Sequence, residues 1–193
     1  NDVTRQAGLR EPTFHKLGFG TQFLDADLNG LPDLVLTNGD VDDFTLINRP
    51  YRQSPQFMVN VGNGKFVEIP AKTLGPFFDG KYLGRGLTRV DWNRDGREDF
   101  VVSHLDTPAA LVTNETEGAG HFLAIQLRGV KCSRDAIGAL VTVRSGGKRW
   151  VRQLTAGDGY MASKERQLVF GPGDAEKVEE LEVDWISGTR QVF

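Results

Sequence analysis

Two short acidic loops with the same pattern, separated by 66 residues, constrain the fold of this 193-residue chain more than any other feature. They occupy residues 25–33 and 91–99, and each reads Asp-x-Asp/Asn-x-Asn/Asp-Gly-x-x-Asp. Gly-x-Gly precedes each loop at the same distance, and a run of apolar, partly β-branched residues follows it. Self-similarity at a fixed offset indicates a repeat in which each copy is one supersecondary unit. We therefore expect two copies of one small β-rich unit.

The second copy is shorter than the first. Residues 57–66 resemble residues 110–122 at an offset of about 54, so the first copy carries an insertion within residues 39–56. Asp and Pro are frequent in that insertion, and they suit a solvated surface loop. Each copy then has about four strands over roughly 60 residues, the size of one propeller blade.

The repeat ends near residue 120, where apolar and polar residues begin to alternate. Leu123, Ile125 and Leu127 alternate with polar or small neighbours, and the same period recurs later in the chain. Period-two alternation predicts half-buried antiparallel strands. The predicted fold is all-β, with blade-like repeats at about 1–66 and 67–119 and a small antiparallel β module over 120–193.

Three local signals refine the prediction for this C-terminal module. Gly146-Gly147 is typical of a two-residue hairpin turn. Gly171-Pro172-Gly173 predicts a break between strands. Residues 175–181 fit either a strand or a helical turn, and we favour the strand because alternation continues beyond them.

Charge and composition exclude several classes of function. The chain has 23 basic and 26 acidic residues, a net charge of −3, and so lacks the basic footprint of a nucleic-acid-binding protein. No apolar run approaches the roughly 20 residues of a membrane-spanning helix. A single cysteine, Cys132, cannot form an internal disulfide. Six of the acidic residues lie at the repeated positions of the two loops, so the acidity is local.

The two loops have the ligand pattern of a hard divalent cation. Oxygen-bearing side chains stand at positions 1, 3, 5 and 9, Gly at position 6 permits a sharp turn, and position 7 can add its carbonyl oxygen. Calcium is favoured over magnesium because six to eight flexible oxygen ligands suit the larger ion. Zinc is disfavoured because neither loop contains Cys or His. We predict two calcium sites, with ligands Asp25, Asp27, Asn29, Leu31 (carbonyl) and Asp33 in one, and Asp91, Asn93, Asp95, Arg97 (carbonyl) and Asp99 in the other.

Part of the loop pattern is shared with EF-hands and with simple polar turns. An EF-hand needs a bidentate Glu at position 12 and flanking helices, but position 12 is Leu36 or Val102 and the flanks are strand-like. The loops could instead be polar turns that join hairpin strands without binding metal, since Asp, Asn and Gly favour such turns. The duplication of the ligand positions favours metal binding over this alternative.

At the level of families, the repeated unit resembles the FG-GAP or VCBS repeats of integrin-type propellers and bacterial surface proteins. Residues 120–193 are similar to the ASPIC/UnbV domain, on the evidence of Ser133-Arg134-Asp135-Ala136-Ile137-Gly138, Gly157-Asp158-Gly159-Tyr160 and Val183-Asp184-Trp185. Pro172 and Ile186 depart from the usual ASPIC/UnbV pattern. The resemblance implies a calcium-binding extracellular or cell-surface protein, secreted or periplasmic in a bacterium. It also implies that this chain is the C-terminal end of a longer propeller.

No enzyme motif accompanies these features. His15, His104 and His121 stand outside any recognisable catalytic or metal-binding motif, and no nucleophile elbow or phosphate-binding loop is present. We expect a non-catalytic module for adhesion or for binding a protein or carbohydrate partner. The alternative is an auxiliary or catalytic component of a secreted propeller enzyme of the hydrolase or lyase type, or of natural-product biosynthesis.

Overall fold

The computed structural model describes residues 1–193 and confirms the all-β prediction. Every strand pairing is antiparallel, and the strands form four separate sheets. Helix is limited to single turns at Arg10–Thr13, Thr45–Ile47, Ala71–Thr73 and Pro76–Asp79. No helix in the structure is long and apolar enough to cross a membrane.

The first repeat forms a four-stranded sheet in sequence order. Its strands are β1 (Gly18–Leu24), β2 (Asp33–Asn38), β3 (Gln56–Gly62) and β4 (Lys65–Glu68). Residues 39–55 join β2 to β3, in agreement with the predicted insertion. The first acidic loop connects β1 to β2, and its ninth residue is the first residue of β2.

The second repeat forms a sheet of three strands instead of the four predicted. They are β5 (Gly84–Val90), β6 (Asp99–His104) and β7 (Ala110–Val112). The strand that follows, β8 (His121–Ile125), occupies the sequence position that corresponds to β4, but it pairs with a strand of the C-terminal module. The second copy therefore passes its last strand to the neighbouring unit.

The two repeats share backbone details that sequence similarity alone does not guarantee. Gly18 pairs with Asn38 and Gly84 pairs with His104, and each pairing is followed by a register shift at the same place. The fourth residue of each loop, Leu28 or Arg94, has a left-handed backbone with φ of 58° or 61°. The internal repeat is thus also a repeat of structure.

One apolar cluster joins the two repeats. It lies where β1 packs against β5, and buried side chains from both sheets contribute to it. Its buried members are Leu24, Val35, Phe57, Phe78, Leu87, Phe100 and Val102.

The C-terminal module consists of a two-stranded and a four-stranded sheet. The first pairs β8 with β11 (Leu168–Gly173), and the second has the order β10-β9-β12-β13. Its strands are β9 (Leu140–Ser145), β10 (Lys148–Gln153), β12 (Glu180–Asp184) and β13 (Arg190–Val192).

The local predictions for this module had different outcomes. Gly146-Gly147 forms the predicted turn between β9 and β10, with φ of 56° and 72°. Residues 175–181 form no helix, but the favoured strand is confirmed only for residues 180 and 181, which begin β12, since residues 175–179 are irregular. The predicted break at Gly171-Pro172-Gly173 was wrong, because these residues lie within β11. The missing Cβ of Gly171 explains this, since a Cβ there would lie 2.5 Å from the Asp25 carboxylate and 2.6 Å from Leu28.

A second apolar cluster holds the C-terminal module together. Its buried members are Ala136, Ala139, Val141, Val143, Leu154, Leu168, Phe170 and Val183. The cluster in the repeats and the cluster in the module lie on either side of residue 120. The domain boundary at 119/120 itself stays a prediction.

Candidate metal centre

The first and ninth residues of each acidic loop are carboxylates that the fold buries. Asp25 and Asp99 are 0% exposed, Asp33 is 2% exposed and Asp91 is 4% exposed. Each pair begins and ends a loop between two antiparallel strands, so strand pairing places both carboxylates at the base of the loop. No ion pair with a basic side chain is found for any of the four.

Within the first loop, backbone N–H groups surround the buried carboxylates. Asp25 accepts hydrogen bonds from the N–H groups of Asn29 at 3.0 Å and Gly30 at 2.9 Å. Asp33 accepts one from Ala26 at 3.2 Å and one from Asn60 at 2.8 Å. The loop is therefore wound around its own acids and tied to β3.

The second loop repeats this arrangement with one difference. Asp99 accepts hydrogen bonds from the N–H groups of Trp92 at 3.1 Å and Asn114 at 2.7 Å. The Oδ2 atom of Asp91 accepts one from Gly96 at 3.2 Å. The Oδ1 atom of Asp91, in contrast, is buried and has no hydrogen-bond partner. A buried carboxylate oxygen without a partner is costly, and a cation would satisfy it.

Burial makes ionisation of three of these carboxylates unfavourable. Desolvation raises the pKa of Asp25 from its usual 3.8 to about 7, against the lowering effects of the hydrogen bond from Gly30 and the charge of Arg152. It raises the pKa of Asp33 from 3.8 to about 6, against the lowering effect of the hydrogen bonds from Asn60 and Ala26. The pKa of Asp99 is raised for the same reason. Two acids with raised pKa values in the first loop make that loop a candidate functional or cation site.

The other predicted ligands lie nearer the surface. Asp27 accepts a hydrogen bond from the side-chain amide of Asn29 at 2.9 Å, and Asn93 donates an equivalent bond to Asp95. No hydrogen bond to the main-chain carbonyl of Leu31 or Arg97 is found, which leaves both oxygens free to bind a metal.

Arg97 would compete with a metal ion for the Asp95 carboxylate, a contact that the sequence did not predict. The guanidinium of Arg97 donates to the Asp95 carboxylate, and this contact holds the pKa of Asp95 below its usual range. Arg97 was predicted to contribute only its carbonyl oxygen. Sequence alone does not indicate contact between Asp95 and Arg97, which are two positions apart, because their contact depends on the backbone conformation of the loop.

The donor set suits a calcium ion, although the side chains are not gathered around one point. No three acidic, histidine or cysteine groups converge as a metal cluster in the structure. All the predicted ligands are oxygens, however, and each carboxylate has about four lone-pair sites, so a hydrogen bond from an N–H group still leaves capacity for a metal. The residues present therefore fit the ion.

The first loop lies against the C-terminal module. Gly173 donates a hydrogen bond to the carbonyl of Leu28 at 3.0 Å, and Gly120 donates one to the carbonyl of Asp27 at 2.9 Å. A Cβ on Gly30 would lie 2.4 Å from the indole nitrogen of Trp150. The first loop, which contains one predicted metal site, is thus also part of the interface between the repeats and the module.

A network of charged groups, buried except for the partly exposed Asp158, forms another part of that interface. Arg89 contacts Glu98 at 2.7 Å and Asp158 at 3.3 Å, and Lys164 contacts Asp158 at 3.0 Å. Gln22 donates to Asp158 at 3.0 Å. Sequence reasoning missed this network because its members come from distant segments and no motif links them.

Residues 129–193 match the ASPIC and UnbV family. This match supports the predicted resemblance of the C-terminal module. The ASPIC and UnbV region includes β9 to β13, and it contributes Trp150, Asp158 and Gly171 to the contacts with the repeats. No curated protein matches the chain.

Proposed function

We propose that this chain is a calcium-binding β module of an extracellular or cell-surface protein. Its function is to bind a partner protein or carbohydrate, as in adhesion, without catalysis. The observation that carries the calcium site is the burial of four carboxylates, Asp25, Asp33, Asp91 and Asp99, none of which is paired with a basic side chain. The ASPIC and UnbV match of the C-terminal module is consistent with a β-rich extracellular type of domain.

The electrostatics favour a divalent cation at each loop. Buried charges are normally paired or coordinate a metal, because an isolated ionised carboxylate is expensive outside water. Each loop offers three carboxylates, one amide oxygen and one free carbonyl, which together suit the oxygen coordination of calcium. Calcium would lower the pKa values of these acids by stabilising their ionised forms.

The position of the first loop supports a structural role for the bound ion. Asp27 and Leu28 accept hydrogen bonds from Gly120 and Gly173 through their carbonyl oxygens, so the loop conformation and the interface depend on each other. A cation that rigidifies this loop would therefore also stabilise the contact with the C-terminal module. Partner binding would then take place on a preformed surface.

Thermal unfolding of the protein, stripped of metal on a chelating resin, tests the proposal. Ligand that binds only the folded state at one hundred times its Kd stabilises it by about 2.7 kcal/mol, so calcium should raise the unfolding midpoint measurably. Asp25→Asn and Asp91→Asn should each reduce the calcium-dependent shift, and the double variant should abolish it. Asp42→Asn, at an exposed acid outside both loops, is the matched control and should keep the full shift.

The choice of Asn limits the folding cost of this test. Asn preserves the size of the side chain, and a neutral group at position 25 resembles the protonated acid that burial favours. It can accept only one of the two backbone hydrogen bonds that Asp25 accepts, so the calcium shift of each variant is measured from that variant's own metal-free midpoint. Equal midpoints for the parent protein with and without calcium would overturn the proposal.

A further inference from the structure

A cleft of about 540 Å³ separates the first repeat from the C-terminal module. One wall is strand β10 of the module, and the opposite wall is formed by β1, including Gln22. Gly30 and Pro32 of the first acidic loop lie at its end. Only five of its seventeen lining residues are hydrophobic, so the cleft suits a polar ligand.

The charges that line the cleft are mostly positive. Four basic residues, Arg89, Arg149, Arg152 and Lys164, face one acid, Asp158. That acid is already occupied, because it contacts both Arg89 and Lys164. The remaining two arginines supply positive charge that no carboxylate on the cleft wall balances. A concave surface with charge of one sign concentrates ligands of the opposite sign.

Arg152 is the group that most needs a partner. Its side chain is only 18% exposed, and its nearest carboxylate oxygen, on Glu98, is 3.9 Å away, beyond hydrogen-bond distance. No hydrogen bond from its guanidinium is found, although the side chain is held over the ring of Phe170 at 5.5 Å. A guanidinium has five N–H donors in a rigid fork that matches a carboxylate or another oxyanion. Arg152 therefore interacts with Glu98 and Asp25 only through charge at longer range, and its N–H donors remain free of hydrogen bonds.

The main chain of β10 adds further donors. This strand is at the edge of its sheet, with β9 on one side and no strand on the other. The two-residue turn makes Ser145 and Lys148 a hydrogen-bonded pair, so the N–H groups of Arg149, Val151 and Gln153 point away from β9. These three residues also line the cleft. The unpaired N–H groups at this strand edge and the guanidinium of Arg152 are therefore neighbouring hydrogen-bond donors.

We propose that this cleft is a binding site for an oxyanion, such as a carboxylate or sulfate group, carried by a small polar molecule. Arg152 and Arg149 bind the oxyanion, and the free N–H groups at the edge of β10 bind the polar body. None of the proposed oxyanion ligands is a predicted metal ligand, so the site does not need bound calcium, although the charge of Arg152 acts on Asp25. Lys164 and Arg89 position Asp158 and are not offered as ligands of the anion.

Titration with sodium glucuronate and with sodium sulfate tests the site. Binding is measured by isothermal titration calorimetry and by the NMR chemical shifts of the backbone amides. Sulfate reports the oxyanion alone, glucuronate adds a hydroxyl-rich body, and methyl glucoside supplies the body without the charge. Chelators are avoided because they are themselves polycarboxylates. Each titration is run on the metal-free and on the calcium-loaded protein, so that failure of one proposal does not imply failure of the other.

Glucuronate should bind at one saturable site, and amide shifts should be largest along β10. Loss of charge-assisted hydrogen bonds should make Arg152→Gln bind about 10-fold more weakly or worse, with a smaller loss for Arg149→Gln. Arg149 is exposed and unpaired, so that variant tests the site even if Arg152→Gln folds poorly. Arg190→Gln is the control, because Arg190 carries the same charge on β13 at the opposite edge of the same sheet.

Three outcomes would overturn the proposal. One is the absence of saturable binding by either anion. Another is equal weakening by Arg149→Gln, Arg152→Gln and Arg190→Gln, which would indicate only a general electrostatic attraction. The third is binding of an acidic peptide along β10 without binding of the small anions, which would assign the cleft to a protein partner.

Discussion

Asp99 accepts a hydrogen bond at 2.7 Å from the backbone N–H of Asn114, fifteen residues further along the chain. Asp33 accepts the equivalent bond from Asn60 at 2.8 Å. In both repeats, therefore, the ninth residue of the acidic loop ties the loop to the segment that includes or directly follows the third strand. The same carboxylates are predicted metal ligands, so we expect one side chain to have both a structural and a binding role.

If Asp33 has both roles, substitutions of Asp33 and Asp27 in the first loop should differ in their effect on the stability of the metal-free protein. Asp33→Ala removes the acceptor for two backbone N–H groups and should lower the free energy of unfolding of the metal-free protein by about 2 to 4 kcal/mol. Asp27→Ala loses contacts only to Asn29 within its own loop, and it should weaken calcium binding with little effect on the metal-free protein. Urea unfolding with and without calcium checks both expectations. Equal destabilisation of the metal-free protein by both variants would contradict this double role.

The raised pKa values of Asp25 and Asp33 predict an unusual pH dependence of stability. For an acid whose folded pKa lies above its unfolded value, the stabilising contribution is fully present below the unfolded pKa and is lost as pH rises through the folded pKa. The relevant values are 3.8 in the unfolded chain and about 7 and about 6 in the fold. The metal-free protein should therefore lose stability as pH rises from about 4, near the unfolded pKa, to about 7, the higher of the two folded values.

Calcium should flatten or reverse this trend, because the ion binds the ionised carboxylates and displaces their protons. Urea midpoints of the metal-free and the calcium-loaded protein across that pH range provide the measurement. Asp25→Asn serves as the control and should remove much of the slope of the metal-free protein. A metal-free midpoint that climbs steadily with pH would disagree with the burial of these acids.

Arg97 should weaken the second metal site, because its guanidinium occupies the Asp95 carboxylate. Arg97→Gln leaves the main-chain carbonyl in place and removes the competing charge. Calcium affinity at the second loop should increase about two- to fivefold, which is the effect expected from a partly exposed ion pair. Calorimetry on the Asp25→Asn background, in which only the second site remains, isolates this change. Unchanged or weaker binding would show that Arg97 supports the site.

Glycine at position 30 should be essential for the contact between the first loop and the C-terminal module. Gly30→Ala adds a Cβ that would lie 2.4 Å from the Trp150 indole nitrogen and 2.9 Å from the Gly171 carbonyl. Gly62→Ala is the matched control, because Gly62 has a similar φ of 84° but no neighbour within 4 Å. Both variants force a left-handed backbone on alanine, and Gly30→Ala should lose about a further 1 to 3 kcal/mol of unfolding free energy. Equal losses would mean that the loop and the module are not packed together.

The buried Arg89–Glu98 pair should contribute more than an exposed pair of the same chemistry. Glu98 is 7% exposed in its side chain, and its removal leaves Arg89 and Arg152 without their shared acid. Glu98→Gln should lower the free energy of unfolding by about 3 kcal/mol or more. Glu180→Gln, which breaks an exposed pair with Arg144, should change it by less than about 1 kcal/mol. Chemical unfolding of both variants measures the difference.

The parts of this fold that could be predicted from sequence depend on local patterns. Period-two alternation, the Gly146-Gly147 turn and the duplicated loops each involve neighbours in sequence, so the all-β class and the structural repeat could be predicted. The fourth strand of the second repeat could not, because β8 pairs with β11 across more than forty residues. A strand pattern indicates that a strand forms but does not identify its partner.

The candidate metal site shows the same limit. The sequence alone suggests the identity and spacing of its ligands, which stay a prediction. The contact of Asp95 with Arg97 and the packing of Gly30 on Trp150 depend on tertiary arrangement. Gly171 illustrates the difficulty most clearly. Its sequence context is typical of a break between two strands. Because glycine has no side chain, however, β11 can continue through this position and approach Asp25.

A crystal structure of the calcium-loaded protein, with anomalous scattering recorded, tests the central claim most directly. We predict one ion in each loop, bound by oxygens at about 2.3 to 2.6 Å from Asp25 and its loop partners and from Asp91 and its loop partners. Loops that hold no ion at saturating calcium, with the carboxylates still bound only to backbone N–H groups, would contradict it.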